Sequence, residues 1–236
     1  MRISLSHLLF LGMACLAAGC AHRKSTFLIS GVACANASAR LNELWKELHD
    51  AVETPGGCDL DGGRRCEMLQ NEISRLAVNC PTSPEVLMAN ALLAFQGHDL
   101  VRSQQLLDQL LSLQVNYPEA VSLRARIALQ EGNLRFALRF LEDQMHRFGD
   151  DAGLHETYSS ALFLARRWDD AREQLGIAAR LGAPAWRIAY GLGLVAESQG
   201  LFAEAKARYE EARQARPDWK QPEARLRALV AAGKVQ

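Results

Sequence analysis

From residue 84 onward, small and large apolar positions return every 34 residues or so. Reading back from the C-terminal end, one column holds Gly193, Ser159, Ala125 and Ala91, and another holds Ala205, Ala171, Ala137 and Ser103, all small. Two further columns are large: Phe202, Trp168, Leu134 and Leu100, then Tyr209, Leu175, Leu141 and Leu107. A fifth reads Ala196, Leu162, Ala128 and Ala94. Between the small and large columns lies a turn column of Gly200, Arg166, Gly132 and His98, with Gly97 one place early in the first unit. Within each unit the apolar residues fall at spacings of three and four on both sides of the turn, which predicts two helices per unit, packed on each other. A small residue stands wherever the two backbones must approach.

This order of sizes, clearest between Trp186 and Trp219 with Pro217 after the second helix, resembles the tetratricopeptide repeat. The units fall at 84–117, 118–151, 152–185 and 186–219. The resemblance implies an all-α fold, a right-handed solenoid of stacked antiparallel helix pairs. Three departures stand out. His155 and Arg124 occupy columns the family fills with apolar residues, the third unit turns at Arg166, and its Pro184 comes one place late. Residues 220–236, with Ala224, Leu226, Leu229 and Val230, read as a final amphipathic helix whose Arg225, Arg227 and Lys234 provide the polar outer face that a solenoid end requires.

Ahead of the repeats, Leu41, Leu44, Trp45, Leu48 and Val52 lie on one face of a helix over 35–53, ended by Pro55-Gly56-Gly57. A second helix over about 64–79 turns Met68, Leu69, Ile73, Leu76 and Ala77 inward. Ile73 and Pro81 precede Leu107 and Val115 by one period, so residues 35–83 read as a hairpin formed from a degenerate unit. Its cysteines, Cys34, Cys58, Cys66 and Cys80, allow three pairings. In an antiparallel hairpin the start of the first helix lies beside the end of the second, so nested bridges Cys34–Cys80 and Cys58–Cys66 meet the short Cα separation a disulfide needs. The long bridge is worth on the order of 3–4 kcal/mol. The spacings fit no common zinc pattern.

Residues 1–19 stand apart from the fold. Arg2 precedes an apolar run from Ile3 to Ala18, and the run ends in Leu16-Ala17-Ala18-Gly19-Cys20. Small residues before a cysteine at that point look like a bacterial lipoprotein signal. The resemblance implies cleavage before Cys20 and lipid on its thiol and new amino terminus, and Ala21 after it points to the outer membrane. A plain secretory signal or a short uncleaved anchor are the alternatives. Residues 20–34 then form a tether, with His22-Arg23-Lys24 near the membrane.

Composition narrows the function. Lysine plus arginine and aspartate plus glutamate both number 27 among 236 residues, and aromatics are 7%, so the core is mainly Leu and Ala and no charge imbalance points to nucleic acid. No catalytic set emerges. His49-Asp50 ends a helix, and His98-Asp99 occupies an inter-helix turn. Asp59-Leu60-Asp61-Gly62 opens like a calcium loop but lacks its later ligands. Gly191-Leu192-Gly193 lies within a repeat helix, where glycines serve close packing rather than phosphate binding. No enzyme, cofactor, metal or small-molecule substrate is expected.

What remains is surface. In the repeat family the first helices of successive units line a concave groove. The resemblance puts Met88, Leu92 and Phe95 there, then Ser122, Arg126 and Leu129, then Glu156, Ser160 and Phe163, then Arg187, Tyr190 and Leu194, and finally Arg225 from the cap. Apolar anchors beside spaced arginines suit an extended peptide or an amphipathic helix, with the arginines selecting carboxylates. The groove lacks the Lys/Asn pattern of chaperone-binding members. The expected protein is a lipid-anchored, periplasm-facing scaffold. It resembles the tetratricopeptide lipoproteins that assist assembly of pili and secretion channels. The alternative is an adaptor of cell-wall or envelope-polymer enzymes.

Overall fold

A computed structural model describes residues 34, 36–53 and 64–235, apart from the side chains of 49–53. Every element among the described residues is an α-helix: α1 Ala37–Glu53, α2 Arg64–Asn79, α3 Pro84–Gln96, α4 Leu100–Ser112, α5 Pro118–Gln130, α6 Leu134–Phe148, α7 Ala152–Leu164, α8 Trp168–Arg180, α9 Ala185–Ser198, α10 Phe202–Ala215 and α11 Gln221–Ala231. Among those residues no helix is long and apolar enough to cross a membrane. The packing divides within the stretch 84–219, one compact unit ending at Leu113 and the other beginning at Gln114.

The first unit holds two helix pairs. Leu41, Leu44 and Leu48 of α1 close on Cys66, Leu69 and Ile73 of α2, joined by Val86 and Ala89 of α3. Met68, expected inward, is 61% exposed, because the face set by Cys66, Leu69 and Ile73 leaves position 68 outside. The hairpin is shut by a disulfide between Cys34 and Cys80, whose Cα atoms are 5.4 Å apart. Cys66 is also disulfide-bonded. Cys34 and Cys80 pair with each other, so its partner lies outside the described residues. The expected Cys58 lies there too, as do the 1–19 signal, Cys20 and the 59–62 loop. Asn90, buried on α3, donates from Nδ2 to the Ile73 carbonyl at 2.9 Å and to the Val86 carbonyl at 3.0 Å, tying the hairpin to the first repeat.

The second unit stacks α5/α6, α7/α8 and α9/α10, closed by α11. The size columns explain the pairing inside each repeat. Leu107, Leu141 and Tyr209 are fully buried, as are the small residues Ala91 and Ala125 of the preceding helices, and Tyr209 lies directly against Gly193. Serine in a small column bonds to the backbone of the helix it faces: Ser103 Oγ donates to the Ala91 carbonyl at 2.8 Å, and Ser159 Oγ donates to the Ala171 carbonyl at 2.9 Å. The same two columns exchange roles between those repeats.

The turn column is a backbone conformation. His98, Gly132, Arg166 and Gly200 have φ of 61°, 77°, 60° and 77°, all left-handed. In each, the next N–H reaches back to a carbonyl in the last turn of the first helix: Asp99 to Ala94, Asn133 to Ala128, Arg167 to Leu162 and Leu201 to Ala196, at 2.8–2.9 Å. This is the glycine-favoured helix end. Gly97 is not the left-handed residue of the first repeat; its φ is −77°, and His98 keeps the register at a steric cost. Asp99 then caps α4 by accepting from the Arg102 N–H, and Asn133 caps α6 in the same column by accepting from the Phe136 N–H. The His98-Asp99 pair is thereby accounted for as turn and cap.

The final helix is shorter than expected, ending at Ala231 rather than running to the terminus. It buries Pro222, Leu226 and Leu229, whereas Ala224 and Val230 face solvent. Gly233 then takes a φ of 64°, and Val235 packs back on the core formed by Tyr209 and Leu226.

Candidate functional site

The second unit contains a cavity of about 510 Å³ between the first helices of its last two repeats. From α7 come Glu156, Ser159, Ser160, Phe163 and Leu164, and from α9 come Arg187, Tyr190, Gly191, Leu194 and Val195. Leu175 contributes from α8, Trp186 from the start of α9, and Trp219 from the α10–α11 loop. Such a volume, apolar with a few convergent polar groups, is the usual form of a binding pocket.

Local sequence fixes both walls. Helix α7 starts at Asp151, whose Oδ1 accepts from the Leu154 N–H at 2.6 Å. His155, in a column the family fills with apolar residues, is buried, and both ring nitrogens have partners: Nδ1 meets Gln174 Oε1 at 2.6 Å and Nε2 meets the Gly149 carbonyl at 2.9 Å. The imidazole thus takes the volume of an apolar residue and ties α7 to α8. Helix α9 follows Pro184 and can lie close because two positions lack a side chain. A Cβ on Gly191 would stand 3.0 Å from both methyls of Leu175, and one on Gly193 would stand 2.5 Å from Tyr209 Cε1. The glycines serve close packing, as the sequence implies.

One end of the cavity is a ring cluster. Trp219 sits edge-on to Trp186, with centroids 4.7 Å apart, and to Tyr190, at 4.6 Å; Tyr190 also leans on Tyr209 at 5.6 Å. The Arg216 guanidinium covers Trp186 at 4.5 Å. Burial raises the Tyr190 hydroxyl above its ordinary pKa, with Arg225 opposing and Glu197 adding to the shift.

At the polar end stands Glu156. Its Oε2 pairs with Arg187 Nε at 3.1 Å, while its Oε1 is buried and accepts no hydrogen bond. Burial pushes this carboxyl above the usual carboxylate range; Arg187 draws it down and Asp151 raises it further.

The structure brings together Glu156, Ser160, Phe163, Arg187, Tyr190 and Leu194 of the residues expected in the groove. Ser122, Arg126 and Leu129 are on α5 but do not line this cavity, and Met88, Leu92 and Phe95 lie half-buried on α3 in the other unit. Arg225 departs from expectation. Its Nε donates to Glu197 Oε2 at 3.1 Å, its Nη2 pairs with Glu197 Oε1, and Tyr209 donates its hydroxyl to the same carboxylate at 2.6 Å. The cap arginine is a clasp between α11 and α9, and Arg187 is already paired with Glu156. Two of the arginines expected to select carboxylates therefore hold the chain's own. Trp186 and Trp219 were not expected in the site. Trp186 is legible one place before Arg187 on the same helix, but Trp219 reaches the cavity only because the cap loop folds back over α9. Among the described residues, no cluster of three His, Cys, Asp or Glu is placed to hold a metal ion.

No family model matches the sequence, and no curated protein matches it. Solved structures do. TTC0263, a thermophilic TPR protein of Thermus thermophilus, superposes with a TM-score of 0.62 at 19% identity, over 70% of this chain and 90% of that one. MamA of Desulfovibrio magneticus RS-1 gives 0.53 at 15% identity, over 77% and 97%. YrrB, a TPR protein with an unusual peptide-binding site, gives 0.51 at 11% identity, over 81% and 98%. At these identities the likeness is one of fold: helix pairs of the tetratricopeptide type.

Proposed function

We propose that this protein is a non-enzymatic scaffold that holds a segment of another polypeptide in the cavity between α7 and α9. The observation that carries the reading is the cavity itself. About 510 Å³ of space lies on the first helices of two adjacent repeats, walled by Phe163, Leu194 and the Trp186–Trp219–Tyr190 cluster. Apolar walls supply affinity, and a few fixed polar groups supply orientation. A TPR protein of similar fold, YrrB, has a peptide-binding site.

The scaffold is lipid-anchored at Cys20 to the outer membrane, faces the periplasm, and assists assembly of an envelope complex such as a pilus or secretion machine. The apolar run ending in Leu16-Ala17-Ala18-Gly19-Cys20 supports the anchor. The Cys34–Cys80 bridge supports an oxidising compartment. Photo-crosslinking in intact cells tests the scaffold reading. A photoreactive residue at Leu194 is expected to give polypeptide adducts that one at Arg208, on α10, does not. No adduct from position 194 would remove it. Metabolic labelling with palmitate tests the anchor separately: label lost in Cys20→Ala supports it, and an unlabelled parent chain refutes it.

A further inference from the structure

The Glu156 carboxylate specifies part of the ligand. Its side chain is 18% exposed, one oxygen is satisfied by Arg187, and the other is buried with no donor. A buried carboxylate oxygen without a hydrogen bond is costly, more so than a neutral group. The two serines beside it in the lining do not relieve it. Ser159 donates its hydroxyl to the Ala171 carbonyl, and Ser160 donates to the Glu156 carbonyl, the backbone oxygen of the same residue. A donor on a bound ligand would relieve it.

The charge balance says which kind. Asp151 acts on Glu156 as a second negative charge, opposed by the paired Arg187. The Arg216 guanidinium, in the ring cluster, stacks on Trp186 and pairs with Asp218 at 3.4 Å. A cationic donor would satisfy the free oxygen and offset the nearby negative charge of Asp151, in a site where burial weakens screening. A neutral amide would satisfy the hydrogen bond but not the charge. An acidic group, the ligand expected from the arginines in the sequence, would meet Glu156 directly and be repelled.

We propose that the cavity is specific for a basic apolar peptide: an aliphatic or aromatic anchor lies against Phe163 and Leu194, and a neighbouring lysine or arginine donates to Glu156 Oε1. This rests on the reading that the cavity takes a peptide at all. Glu156 is then the specificity-determining residue, and Arg187 is its positioning residue, holding the carboxylate through Oε2.

The test uses the full chain in detergent and three fluorescent nonapeptides of otherwise identical sequence. Each carries a Leu-Phe anchor followed by lysine, norleucine or glutamate, with blocked ends. Binding is read by anisotropy. The lysine peptide is expected to bind about tenfold more tightly than the norleucine peptide, and the glutamate peptide more weakly than both, since a charge-assisted bond to a buried carboxylate is of that order. Glu156→Gln is expected to collapse the lysine preference, bringing the lysine and norleucine affinities together. The wild-type comparison stands even if that variant fails to fold. Equal affinity for all three peptides would overturn the inference and leave the scaffold reading in place. Binding to none of them would remove both. Self-association of the chain that the lysine peptide competes away would assign the cavity to a second copy and overturn the proposal.

Discussion

Replacing Gly193 by alanine tests the packing logic of the repeat directly. In an ordinary helix interior the change is favourable by about 1 kcal/mol, because alanine loses less backbone entropy on folding than glycine. Here the new methyl would stand 2.5 Å from Tyr209 Cε1, 2.7 Å from Cδ1 and 3.2 Å from Cζ. The ring cannot retreat easily: Tyr209 is fully buried, and its hydroxyl is held by Glu197 at 2.6 Å. Overpacking a tight core costs about 1–3 kcal/mol, and contacts this short belong in the upper part of that range. The net expectation is a loss of about 1–2 kcal/mol in urea unfolding followed by circular dichroism, with the slope unchanged. The decisive measurement is the same substitution made in a Tyr209→Leu background. That background recreates the pairs Ala125/Leu141 and Ala91/Leu107 found in other repeats, with both members buried. There Gly193→Ala is expected to reverse sign and stabilise by up to about 1 kcal/mol, giving a coupling energy above about 1 kcal/mol across the double-mutant cycle. A Gly193→Ala protein as stable as its parent, or the same effect in both backgrounds, would refute the reasoning.

The turn column makes a second prediction: Arg166→Gly relieves a left-handed residue with φ 60° and should raise stability by about 0.5–1 kcal/mol, visible as a higher Tm, whereas Gly200→Ala at φ 77° should lower it by about 1 kcal/mol. Removing the hairpin clamp with Cys34→Ser and Cys80→Ser opens a loop spanning 46 residues and should cost about 4 kcal/mol by chain-entropy reasoning, measured as earlier urea unfolding of the tryptophan signal of Trp45. Titration of stability isolates Glu156. Burial raises its carboxyl above the ordinary 4.5, so the folded chain retains a proton that the unfolded chain has released, and stability falls as pH climbs from 4.5 through the raised value. Glu156→Gln should flatten that part of the curve, and the difference between the two proteins is the quantity to compare; parallel curves would count against a buried, underpaired carboxylate.

The sequence by itself determined the repeat. The residues that pack the two helices of one unit are close in the chain, such as Ser103 on Ala91 and Ser159 on Ala171. Helix periodicity and side-chain size therefore suffice to locate them, and the left-handed turn follows from which backbone position must reverse the chain. The hairpin clamp was legible for the same reason: antiparallel helices bring Cys34 to Cys80 whatever packs around them. The site was legible only as a helix face. Which charges neutralise one another was not, since Arg187 with Glu156 and Arg225 with Glu197 join side chains from alternate helices about one repeat apart, where small differences in stacking decide the partner. Those pairings turned a groove that looked ready for carboxylates into one with a carboxylate oxygen to satisfy. Trp219 likewise joined the cavity through the path of the α10–α11 loop, which carries no periodic signal. Local packing obeys spacing along the chain, while electrostatic pairing and cavity closure obey distance in space, and only the folded molecule fixes the second.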